Sequence, residues 1–112
     1  MPVDAGRLNI NSAGTAEKFS GDLAAQAIIR INSNVTAISF HAPTANSGNV
    51  FVGLLGRDES TATVSSTYGW TLEPGDVLAL SDISETFSNF QGDAATANDD
   101  IEWTAVFETG GR

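Results

Sequence analysis

Apolar residues along this chain recur at every second position over short stretches, which is the period of a half-buried β-strand. The clearest case is Ile101 to Glu108, where Ile101, Trp103, Ala105 and Phe107 share one side and Glu102, Thr104, Val106 and Glu108 the other. Val35 to Phe40 sets Ile38 and Phe40 against Ala37 and Ser39. Ala24 to Asn32 alternates Ala27, Ile29 and Ile31 with Ile28 and Arg30, and its β-branched run favours a strand over a helix. Val50 to Leu55 is a continuous apolar run, as a strand covered on both faces shows, and Gly53 inside it marks a bulge or a close approach of two backbones. Thr61 to Tyr68 is rich in Thr, Ser and Val and predicts another strand; Trp70 and Leu72 resume after Gly69, and Val77 to Leu80 continues the pattern.

The punctuation between these runs fits. Glu73-Pro74-Gly75-Asp76 is a type II turn by composition, with proline presetting the first central φ and glycine supplying the positive second one. Asn32-Ser33-Asn34 and His41 to Asn49 are turn and loop. Asp82 to Phe90 suits either a short strand or a turn of helix, and Gln91 to Asp100 reads as a polar, acidic loop. Seven or eight short strands at intervals of about 8–12 residues predict a single all-β, antiparallel β-sandwich or jelly-roll-like domain. Residues 1–22 read as an extended N-terminal arm with one short strand at Leu8 to Asn11, residues 23–109 as the sandwich, and residues 110–112 as a flexible tail. In the arm, Val3, Leu8, Ile10 and Phe19 are isolated apolar residues available to contact a partner protein.

Charge narrows the partners. Fourteen acidic against five basic side chains give a net charge of −9, and the bases, Lys18, Arg7, Arg30, Arg57 and Arg112, are scattered. Nucleic-acid binding needs clustered cations to neutralise phosphates, so neither DNA nor RNA is an expected partner, and nor is an anionic membrane. No run approaches the roughly 18 apolar residues of a spanning helix, and the N-terminus has no apolar signal core. With no cysteine, thiol chemistry, disulfides and zinc–thiolate sites are excluded.

Candidate chemistry is sparse. His41 is the single histidine, which rules out a two-histidine metal site, and no Gly-x-Ser-x-Gly sequence positions a nucleophile. Asp93, Asn98, Asp99 and Asp100 in one stretch, and Asp58-Glu59 in another, could offer oxygens to calcium, yet the EF-hand spacing is absent. Solvated loop charge is the favoured reading, with no cofactor, no metal and no enzymatic activity expected. Tyr68 and Trp70, on one side of the chain by alternation, are the candidates for stacking on a glycan.

Asn46-Ser47-Gly48-Asn49-Val50-Phe51-Val52-Gly53, followed by Gly69-Trp70-Thr71-Leu72-Glu73-Pro74-Gly75-Asp76, resembles the hairpin core of small β-sandwich structural proteins of tailed bacteriophages, among them capsid decoration (cement) proteins. The resemblance covers about a third of the chain and is structural rather than catalytic. It implies a virion protein made in the host cytoplasm that sits on the capsid exterior, binds the major capsid protein and bridges its subunits, as a homo-oligomer with a trimer favoured. The alternative is a glycan-binding or host-attachment module of a phage tail or fibre, using Tyr68 and Trp70. The Gly…Pro-Gly stretch also resembles a cupin, but the metal-binding histidines of that family are missing.

Overall fold

The computed structural model describes residues 3–19, 33–54, 64–65 and 69–108. Among them are eight strands and no α-helix: β1 (Val3–Ile10), β2 (Glu17–Lys18), β3 (Asn34–His41), β4 (Val50–Leu54), β5 (Trp70–Leu72), β6 (Val77–Thr86), β7 (Phe90–Ala94) and β8 (Asp99–Phe107). They form two antiparallel four-stranded sheets, in the orders β1-β8-β3-β6 (sheet A) and β2-β7-β4-β5 (sheet B). This is the β-sandwich that the alternating pattern predicts.

The core lies between the sheets. Sheet A contributes Leu8, Ile10, Val35, Ile38, Phe40, Ile101, Trp103, Ala105 and Phe107; sheet B contributes Val50, Val52, Leu72, Phe90 and Ala94. Two aromatic clusters fill the core, and the first joins the sheets. Phe40 stands 4.9 Å from Phe19 and 6.0 Å from Phe90 between ring centroids, and Phe87 stands 5.0 Å from Trp103 and 5.3 Å from Phe107. Phe87 opens a single 3-10 turn, Phe87–Asn89, that links β6 to β7. Asp82 to Phe90 is therefore both things the sequence allows, strand as far as Thr86 and helical turn after it.

Three expectations are corrected. The described part of residues 1–22 is not a free arm: β1 pairs with β8 along all eight of its residues, from Val3 opposite Val106 to Ile10 opposite Asp99. Its alternation was in the sequence, with Val3, Ala5, Arg7 and Asn9 turned to solvent and Leu8 and Ile10 inward. Leu8, Ile10 and Phe19 are thus core residues of this chain and not partner contacts, whereas Val3 stays exposed. Second, Gln91 to Asp100 is not a loop. It holds β7, the four-residue turn Ala95 to Asn98, and the start of β8. Third, Asp93, Asp99 and Asp100 lie in strands. The strands expected at Ala24 to Asn32 and, apart from Val64 and Ser65, at Thr61 to Tyr68 lie outside the described residues, as do the tail and Asp58-Glu59.

The glycines of the hairpin motif have a steric reason. A Cβ on Gly53 would stand 3.3 Å from the Gly69 Cα, and one on Gly69, whose φ is +127°, would stand 2.7 Å from the Val52 carbonyl oxygen. The two backbones touch where β4 meets the approach to β5, the close contact that Gly53 predicts. The turn at residues 73–76 is also as expected. Gly75 has φ +96°, and the Asp76 N–H donates to the Glu73 carbonyl at 2.9 Å.

Candidate protein-docking face

Sheet A turns one face to the core and the other outward, and register lines up its outward side chains in rows across all four strands. One row reads Val3, Val106, Ala37, Ser81 and the next Ala5, Thr104, Ser39, Ala79, on β1, β8, β3 and β6 in turn. Neither row holds a charge. Val3 is 55% exposed, and Val77, at the end of β6, is 63% exposed. The third row is Arg7, Glu102, His41, Val77, with Asn9 opposite Asp100 beyond it.

That third row is a bonded chain. Glu102 accepts from Arg7 on one side and lies 2.8 Å from His41 Nδ1 on the other. Arg7 also stands 3.6 Å from Asp100, which accepts from the Asn9 amide at 2.8 Å. The hydrogen bonds from His41 and then Arg7 hold the Glu102 carboxyl below its ordinary value of 4.5. A carboxyl whose pKa is lower folded than unfolded stabilises the fold above the unfolded value and loses that contribution as pH falls through the folded one. Glu102→Gln is therefore expected to lower the neutral-pH melting temperature slightly, since exposed pairs contribute little, and to converge with the wild type as pH falls below about 4.5, which flattens the acid limb. Thermal melts across the acid range check it; an unaltered acid limb contradicts it.

At the end of the sandwich where the hairpin motif begins, the loop before β4 is tied to the start of β8. Asn46 bonds the Asp100 backbone in both directions, its Oδ1 accepting the N–H at 2.9 Å and its amide donating to the carbonyl at 2.8 Å. The Asp99 carboxylate accepts the Ser47 N–H on one oxygen and the Gly48 N–H on the other, each at 2.9 Å. Gly48 is bare because a Cβ there would stand 2.8 Å from Thr96 Oγ1. This clasp joins sheet B to sheet A and accounts for the Asn and Gly of the motif.

No protein-family model matches the chain. No curated protein sequence matches it. Among solved structures, the chain superposes on one described as "nora virus structure" with a TM-score of 0.44 and 12% identity, over 94% of this chain and 54% of that one. This chain thus spans about half the length of that one, and an overlap this loose carries no argument about role.

The remaining candidates are dispersed. Asp93 is 1% exposed on β7, and its Oδ1 accepts the N–H of Gly14 at 3.0 Å and of Ala94 at 2.8 Å. It lines an open cleft of about 380 Å³ together with Phe51, Ser65, Gly14 and neighbouring alanines. Asp99 is engaged in the clasp, so the acidic stretch is divided between two backbone-binding tasks. Among the described residues no three acidic or histidine side chains group to hold a metal ion. Trp70 is 44% exposed on β5, and Tyr68 lies outside the described residues. Of the four residues expected to meet a partner, only Val3 is on the outer face. Ala5, Ala37, Ser39, Ala79, Thr104 and Val106 were missed there. Alternation in β3 and β8 already placed four of them outward, and the signal was that they are small and uncharged where a wet face normally carries charge.

Proposed function

We propose that this chain is a structural protein of a viral particle: a decoration protein that binds the outside of a bacteriophage capsid and stabilises it by bridging major capsid subunits. The observation that carries the reading is the pair of uncharged rows crossing sheet A. A chain with 14 acids places none of them in these eight positions, although strand faces that meet only water are where charge is most easily accommodated. Such a face fits coverage by protein. The viral context is supported by the resemblance of Asn46 to Gly53 and Gly69 to Asp76 to decoration proteins, whose motif residues here serve the clasp and the glycine contact. The acidic surplus suits a protein that faces solvent rather than packaged DNA. Each copy need bind only weakly, because many sites on one shell raise avidity.

Reconstitution tests this. Purified protein added to expanded capsids that lack a decoration protein is expected to bind at a fixed number of copies and to extend capsid survival under heat and low salt. Capsids that leave it in solution and survive unchanged would overturn the proposal.

A further inference from the structure

We infer that a second copy of this chain covers the outer face of sheet A, the two copies meeting face to face about a two-fold axis that runs along the strands between β8 and β3. The inference rests on reading that face as covered by protein, gives it to a sister copy, and leaves the capsid to be met by another part of the surface.

The face is complementary to itself in shape. A two-fold axis in that position lays β8 of one copy over β3 of the other and β1 over β6. Each row then meets its own copy reversed. Val106 falls over Ala37, Thr104 over Ser39, and Val3 over Ser81, with Ala5 over Ala79. In three of these four pairs a larger side chain of the β1/β8 half, Val106, Thr104 or Val3, meets a smaller one of the β3/β6 half, so raised positions meet low ones, as close-packed layers require; Ala5 over Ala79 sets small on small. Packed sheets cross at about 30°, so the match is best over the two central strands.

The face is also complementary in charge. In the third row Glu102 is flanked by Arg7 and His41, and the same axis places Glu102 of each copy over His41 of the other. Arg7 offsets Glu102, so the row adds no net charge, and the acids responsible for −9 stay largely off the contact. A closed two-fold contact needs one patch that fits itself, and a row carrying both signs meets that need.

Four strands about 4.8 Å apart and rows from Val3 to Asn9 give a footprint of roughly 450 Å² per copy. That is about half of the ~800 Å² per partner in a standard interface, the size of a weak contact, and it tightens when copies are concentrated on a particle.

Sedimentation velocity across the micromolar range is the test. The wild type is expected to shift from monomer to dimer as concentration rises. Thr104→Glu and Ala79→Glu, both at exposed positions of the uncharged rows, are expected to remain monomeric with an unchanged circular dichroism spectrum, and Glu73→Lys, on the turn away from this face, to dimerise as the wild type does. A monomer at every concentration, a trimer, or a dimer indifferent to both glutamates overturns the inference. A monomer that still binds capsids would sink this contact and leave the decoration reading standing; a dimer that ignores capsids would do the reverse.

Discussion

Replacing Phe40 by alanine is expected to cost about 3–5 kcal/mol of folding free energy, the range for deleting a fully buried aromatic ring. Phe40 projects from the middle of sheet A into the core, is wholly buried, and packs against Phe19 and Phe90, so it is the ring through which the two sheets touch at this end. Its neighbours cannot collapse into the gap. Phe90 is fixed on β7 between β2 and β4, and a Cβ on the adjacent Gly92 would already stand 3.0 Å from the Phe19 ring. The cavity term therefore adds to the lost transfer energy. Against a total stability of about 5–15 kcal/mol for a domain of ordinary size, much of the fold's margin disappears. Urea unfolding should show a large fall in midpoint with an unchanged slope. A loss under about 1 kcal/mol would mean that the sheets are not held together through this ring.

Asp99→Ala is the second large effect, at about 2–4 kcal/mol, because it leaves the Ser47 and Gly48 N–H groups without the charged acceptor that each now has. Asp99 is only 6% exposed, so water does not readily replace the carboxylate. Asp99→Asn keeps one accepting oxygen and is expected to lose about half as much. Asn46→Ala removes the two bonds to Asp100 on the same loop. The double variant is expected to lose less than the sum of the two singles, since either change alone loosens the shared loop. Strict additivity in denaturant unfolding would show that the two halves of the clasp act independently.

How much of this was legible differs from strand to strand. β8 could be read directly because its inward residues are large and apolar and its outward ones polar. β7 could not, because Phe90-Gln91-Gly92-Asp93-Ala94 is buried on both faces yet carries two polar side chains and a glycine. Gln91 is satisfied by the Val64 N–H and Asp93 by those of Gly14 and Ala94, partners 27 and 79 residues away in the first and second cases. A distant backbone donor leaves no trace in local composition, so a central strand looks like an acidic loop. The same limit hid the candidate docking face. The small outward residues were visible in each strand, but only register brings Ala5, Thr104, Ser39 and Ala79 into one row. β1 was half read, since Leu8 and Ile10 have the right period and the polar residues before them suggested an arm. The glycines of the hairpin motif were legible as a close contact; which backbones they bring together was not.

The pairing of β1 with β8 has a consequence in time. A ribosome releases β1 almost a hundred residues before its partner, and at about 5–20 residues per second the strand waits for several seconds or more. β3 can meet β6 earlier, but its other edge waits too, because β8 lies between it and β1. Sheet B needs nothing later than Ala94, so its strands can meet first while half of sheet A is still open. Sheet A closes only after Phe107 has left the exit tunnel. Completion of this domain waits for its last strand, and a nascent chain stalled before that point presents an unpaired β1 to every other copy being made beside it.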